Sequence, residues 1–190
     1  MTHPTILAFD TSGPHCAVTL LRAGKPLVTQ HEAMKRGQAE RLFPLIEEIM
    51  MQEGVTWADI GLIAVGIGPG NFTGIRIGVS AARGMGLARK IPVMGVSQFQ
   101  IVHSGNQRAI VAGPRDIAYV QEFEGQNPIG TPFISENEQP DPVPDPAPKI
   151  AKIALGRWQS GETTPERPAP LYVKAADAAP PREAAPVILP

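Results

Sequence analysis

The sequence predicts an α/β layered fold, and three observations carry the prediction. Apolar runs rich in β-branched residues recur near Thr5–Asp10, Leu62–Gly68 and Ile91–Ser97. Leu42, Leu45, Ile46, Ile49 and Met50 fall at helical spacing. Between Leu62 and Arg89 a strand, a glycine loop and a helix follow one another, the succession from which layered α/β folds are built.

Each element can be justified in turn. "TILAFDTS" reads as an apolar strand that ends at Asp10, and "HCAVTLLRAGKPLVTQHEA" as two further strands around a turn at Ala23-Gly24, all three antiparallel. "QAERLFPLIEEIMMQEG" is an amphipathic helix stopped by Gly54; because Pro44 lacks an N–H and crowds the preceding turn, the helix must start about one turn before it or bend there. Thr56-Trp57-Ala58-Asp59 has the spacing of a capping box and predicts a short helix. "LIAVGIG" (62–68) is a buried strand, a helix is expected from Thr73 to Arg89, and "IPVMGVS" (91–97) is one more strand. The order is β-β-β-α-β-α-β. Beyond it, "DIAYVQEF" (116–123) reads as a strand.

Composition then changes. Fourteen of the 21 prolines lie after Gly125, and proline occupies every second position from 140 to 148. Each proline fixes φ and removes a backbone donor, so 139–149 is expected to be an extended linker, neither strand nor helix. The expected organisation is a first lobe over 1–97, a partial second lobe over 98–138, the linker over 139–149, and a short helix with an extended tail over 150–190.

The loop "VGIGPGNFTGIRIG" (65–78) is the most distinctive stretch. A helix N-terminus after a glycine loop can bind anions. The lysine and Ser/Thr of a phosphate-cradling loop are missing, however, and the intervals of Gly68, Gly70 and Gly74 do not match the dinucleotide fingerprint. Gly74, Gly78, Ala82 and Gly86 recur every fourth residue, which puts small residues on one helix face. That face packs either on the chain's own sheet or on a partner helix.

Asp10-Thr11-Ser12 could hold a magnesium-bound phosphate, or could be turn chemistry in which the side chains bond the backbone. His3, His15, His31 and His103 are not paired in sequence and Cys16 has no second thiol, so no metal site is expected. Cys16 reads as a small core residue. Lys35, Arg36, Gln38, Glu40 and Arg41 form a solvated helix entry or a functional cluster. With 17 basic and 18 acidic residues, a net charge of −1 and no basic run, direct nucleic-acid binding is not indicated. The start lacks an export signal, no apolar run approaches the ~20 residues that cross a bilayer, and a cytoplasmic, membrane-free protein is expected.

Together "ILAFDTSGPHCAVTLL" (6–21), "RGQAERLFPLIEEIM" (36–50), "LIAVGIGPGNFTGIRIGVSAARGMGLA" (62–88) and "VMGVS" (93–97) resemble the TsaB (YeaZ) family of bacterial tRNA threonylcarbamoyladenosine biosynthesis, with Asn71 where the family typically has serine. The tail "PLYVKAADAAPPREAAPVIL" (170–189) is similar to the family's C-terminal end. The resemblance implies an ASKHA fold (actin-like ATPase, ribonuclease H-like) with a reduced second lobe, and makes Asp10, Thr11 and Ser12 the vestige of a nucleotide-binding loop. It further implies a subunit without chemistry of its own. The catalytic paralogue TsaD and the ATPase TsaE would be its partners, a homodimer would form in their absence, and tRNA would be met only through the complex.

No cofactor is implied, and ATP–magnesium binding between two lobes is not expected when the second lobe is reduced. The helices matching Gln38–Glu53 and Thr73–Arg89 would form the interface, with Leu42, Leu45, Ile46, Ile49, Gly74, Ile75, Gly78 and Ala82 its expected residues. Gly78→Leu should then abolish partner binding and spare the fold. The alternative is an ASKHA-type ATPase or small-molecule kinase that uses Asp10-Thr11-Ser12; a glycoprotease-like metalloenzyme lacks its metal ligands here.

Overall fold

A computed structural model describes residues 3–23, 25 and 27–173. Gly24 of the expected turn and most of the family-like tail lie outside these residues. β1 (Thr5–Asp10), β2 (His15–Leu21) and β3 (Val28–Ala33) form an antiparallel meander, and β4 (Ile60–Gly66) and β5 (Val93–Val96) add in parallel on the other side of β1. The sheet order is β3-β2-β1-β4-β5. The parallel pairs need crossovers, and α1 (Gln38–Gln52) and α2 (Phe72–Arg89) supply them.

Both helices cover one face of the sheet, where Leu42, Leu45, Ile46, Ile49 and Met50 of α1 meet Phe9, Val18, Ile63 and Val65. Alternation along each strand sends the next residues to the opposite face. There Ile6, Ala8, Leu62 and Ala64 pack on Ile150, Ala151 and Ala154 of α4 (Pro146–Gln159). The central sheet is thus covered on both sides, the second cover coming from a helix late in the chain.

Between β5 and α4 lie the short helix α3 (Gln98–Val102) and an antiparallel sheet of β6 (Arg108–Ala112), β7 (Ala118–Glu124) and β8 (Asn127–Ser135), with β7 central. Pro128 and Pro132 fall in β8, an edge strand, the place in a sheet where a missing donor is tolerated. Val111, Tyr119 and Phe123 pack on Phe99 and Val102 of α3, which ties this sheet to the first.

Two expectations about elements need correction. The proline-rich segment is not extended to 149, because α4 starts at Pro146. The first N–H groups of a helix have no intrahelical partner, so Pro146 and Pro148 in the first turn give up nothing. The Thr56–Asp59 box forms, with Asp59 accepting from the Thr56 backbone at 2.8 Å and from its hydroxyl at 2.6 Å, but it closes a turn that runs straight into β4 instead of a helix. α1 includes Pro44 well inside its span; the residue is exposed, so the Glu40 carbonyl left without its donor faces water.

Cys16 is fully buried in β2. Burial, and next the Glu32 carboxylate, push its thiol up to about 11. In the unfolded chain the thiol would ionise from near 9, so stability is intact below that pH and falls as pH rises from about 9 towards 11. At pH 8 a thiol reagent such as dithionitrobenzoate is therefore expected to label Cys16 only when denaturant unfolds the chain; rapid labelling of the native protein would contradict its burial.

Candidate functional site

Asp10, Thr11 and Ser12 leave β1 at its C-terminal end and are almost completely buried, at 0%, 1% and 3% exposure. Asp10 Oδ2 accepts from the Ser12 backbone at 3.2 Å and from the Ser12 hydroxyl at 3.0 Å, and His15 Nε2 lies 2.6 Å away. Asp10 Oδ1 is buried against Gly66 without a hydrogen-bond partner. A side chain at 66 would collide with this carboxylate, which is why the last residue of β4 is glycine.

The glycine loop closes on this turn. The Asn71 N–H donates to the Ser12 carbonyl at 2.7 Å, and Thr11 Oγ1 donates to the Gly74 carbonyl at 2.7 Å. Gln98, at the start of α3, donates its backbone N–H to Gly68 and its side-chain amide to Ser12 Oγ. Asn71 caps α2 through an Oδ1 that accepts from the Gly74 N–H at 2.8 Å. Two of the donors that a phosphate would need at this helix N-terminus, those of Asn71 and Gly74, are thus bonded within the chain.

The close approach is also steric. A Cβ at Gly70 would lie 2.6 Å from the Ser12 carbonyl oxygen, one at Gly74 would overlap the Thr11 carbonyl oxygen, and one at Gly78 would lie 2.9 Å from Thr11 Oγ1. Gly86 faces Val93 and the Ile91 carbonyl. The fourfold stripe of Gly74, Gly78, Ala82 and Gly86 therefore packs on the chain's own first turn and sheet. Of the two options left open by the spacing, the structure realises the intramolecular one.

That result corrects the expected interface. Leu42, Leu45, Ile46, Ile49, Ile75 and Ala82 are at most 1% exposed, and Gly74 and Gly78 are buried. Their surface is spent inside the chain, so none of the eight presents a face to a partner. The outward sides of the same helices carry different residues. On α1 these are Phe43 and Met51, 45% and 79% exposed, and on α2 Phe72 and Leu87, 36% and 78% exposed.

A second stripe of small residues, Ser80, Gly84 and Ala88, runs along the outward side of α2 at the same fourfold interval. Gly84 is the informative member. Mid-helix glycine costs about 1 kcal/mol relative to alanine, and among the described residues a Cβ at 84 would meet nothing within 4 Å beyond the backbone of its own helix. Counting glycines in the sequence did not separate the two stripes, because both have period four.

The returning segment 168–173 braces the loop from above. The Leu171 N–H donates to the Ile67 carbonyl at 2.8 Å, Tyr172 stacks on Phe72 at 5.0 Å, and Arg76 Nε donates to the Tyr172 hydroxyl at 3.0 Å. In the helix-entry cluster, Arg41 bonds both Glu32 and Glu48 and thereby joins α1 to β3. Both carboxyls are held below the usual range, chiefly by hydrogen bonds from that guanidinium. Among the described residues no group of three or more His, Cys, Asp or Glu is placed to hold a metal, and no helix is long and apolar enough to cross a membrane.

With this geometry in view, comparison with known proteins is informative. A family model described as "TsaD: tRNA N6-adenosine threonylcarbamoyltransferase" matches residues 30–118. The chain is similar to the tRNA threonylcarbamoyladenosine biosynthesis protein TsaB of Escherichia coli (strain K12), 38% identical over 104 residues that make up 54% of this chain and 44% of that protein. It is also similar to TsaB of Bacillus subtilis (strain 168), 31% identical over 96 residues, 50% of this chain and 42% of that protein. The chain thus spans less than half the length of these relatives. Among solved structures, YeaZ from Pseudomonas aeruginosa superposes with a TM-score of 0.75 at 25% identity, covering 89% of this chain and 99% of that one. The TsaD-type match and the YeaZ likeness place the fold in the ASKHA class that the resemblance implies.

Proposed function

We propose that this chain, which is similar to TsaB (YeaZ) proteins, is an accessory subunit of a tRNA threonylcarbamoyladenosine-forming complex, working in the cytoplasm beside a TsaD-type catalytic partner and a TsaE-type ATPase. The observation that carries the reading is Gly84. It is a mid-helix glycine on an exposed face that packs against no other described element of its own chain, and it lies between Ser80 and Ala88 on a strip where another helix can come close. Phe43 and Met51 supply the apolar surface such a contact buries. A second copy of the chain would use the same face when the partner is absent.

A role without chemistry of its own is supported by the state of the first turn. A nucleotide phosphate has to reach Asp10, Thr11 and Ser12, and these side chains are buried and bonded to their own chain. The rival kinase or ATPase reading requires micromolar Mg-ATP binding that Asp10→Ala removes. In the accessory reading neither ATP nor a metal is held by this chain, and tRNA is contacted through the assembled complex.

Reconstitution tests the proposal. With a TsaD-type partner, a TsaE-type ATPase, the threonylcarbamoyl-adenylate donor and tRNA, modified adenosine should form only when this chain is present and co-elutes with the partner. The chain alone should form none. Full modification without the chain, or no co-elution with the partner, would sink the reading.

A further inference from the structure

A cavity of about 820 Å³ opens between α4, the end of α3 and the β7–β8 hairpin, away from both the first turn and the outward face of α2. Gly156 lies in its wall, in the last turn of α4. Its φ is not left-handed, and among the described residues a Cβ there would meet nothing within 4 Å beyond the backbone of its own helix. Neither backbone conformation nor internal packing therefore requires glycine at a position where it costs about 1 kcal/mol. What its missing side chain keeps open is the cavity.

The chemistry of the walls narrows the occupant. Arg157 and Glu162 are the only acidic or cationic Asp, Glu, Lys or Arg side chains among the lining residues, and they neutralise one another. Arg157 Nε lies 2.7 Å from Glu162, and Nη1 donates to the Gly95 carbonyl at 2.7 Å, so the guanidinium fork is already used. The hydrogen bonds from Arg157 also hold the Glu162 carboxyl below the usual range. An anionic ligand would find no free Lys or Arg in this lining, and a cationic one no free carboxylate.

The rest of the wall combines carboxamides, from Gln100, Gln126 and Asn127, with apolar surface from Phe123, Pro128 and Ile153. Phe123 is held by the ring of His103, stacked on it at 4.1 Å and 13°. Carboxamides bond the edge of a nucleobase as donor and acceptor together, and with Phe123 covered by His103 it is Pro128 and Ile153 that offer apolar surface to its face. The volume lies in the range of small-molecule sites. From these features we infer that the cavity binds an uncharged nucleoside, read at its base edge by Gln126 and Asn127.

The inference does not rest on the reading of the preceding subsection, because it is measured on the chain alone. Adenosine, guanosine, cytidine and uridine are titrated separately into the full chain by calorimetry. At least one is expected to bind with Kd below about 1 mM. Gly156→Leu, which fills the cavity and favours the helix, should weaken that binding by about tenfold or more at a melting temperature no lower than that of the wild type. Asn127→Ala, on the exposed hairpin, should weaken it as well. Failure of all four nucleosides to bind, or full affinity in both variants, would overturn the assignment. Tighter binding of the matching 5′-monophosphate would do the same, since it would reveal a free cation.

Discussion

Gly74→Ala is expected to lower the unfolding free energy by about 3 kcal/mol, and Gly84→Ala, ten residues along the same helix, to raise it by about 1 kcal/mol. The two glycines differ only in what surrounds them. At Gly74 a methyl group would overlap the Thr11 carbonyl oxygen, a backbone atom that moves only if the first turn moves. Moving it would break the bond from Thr11 Oγ1 to the Gly74 carbonyl and shift Ser12, whose carbonyl holds the Asn71 N–H. At Gly84 a methyl group enters open space and restricts the unfolded chain. Urea denaturation of the isolated chain checks both signs. A Gly74→Ala midpoint equal to that of the wild type would show that the first turn and the glycine loop are not in contact.

Gly84→Leu should leave the chain folded and reduce its affinity for a TsaD-type partner by about 100-fold, or ~2.7 kcal/mol. Leucine is nearly as good a helix former as alanine, and position 84 faces outward, so no described residue resists it. A helix seated on the small-residue strip would be pushed away. Gly78→Leu is not the equivalent experiment that the spacing suggests, because Gly78 faces Thr11 Oγ1 and Val65. Its loss of binding would follow from damage to the fold. Size-exclusion with the partner, together with a thermal melt of each variant alone, separates the cases. Undiminished binding by Gly84→Leu would remove the outward face of α2 from the interface.

The first lobe was legible because its signals are local. Apolar alternation in β1 and β2, the helical period of α1 and the Gly-Pro-Gly turn before α2 each arise within a few residues, and the observed order reproduces them. The second sheet was only partly legible. β7 has a clear apolar run, whereas β6 is short and β8 carries two prolines, which are acceptable there only because β8 pairs on one side. The start of α4 was hidden for a related reason: proline argues against a helix interior and not against a first turn.

Local pattern in the chain is enough for the α/β class, the family resemblance and the expectation that small residues in α2 mark close contact. It could not determine what they contact. Gly74 and Gly84 have the same side chain in the same helix, and a period of four serves an inward face and an outward face equally well. Contacts made by the folded chain separate them: Thr11 lies against Gly74, which closes the chain's own turn, whereas at Gly84 no described residue outside the helix backbone comes within 4 Å. Steric contact between residues 63 positions apart is a property of the folded chain, and no local pattern encodes it.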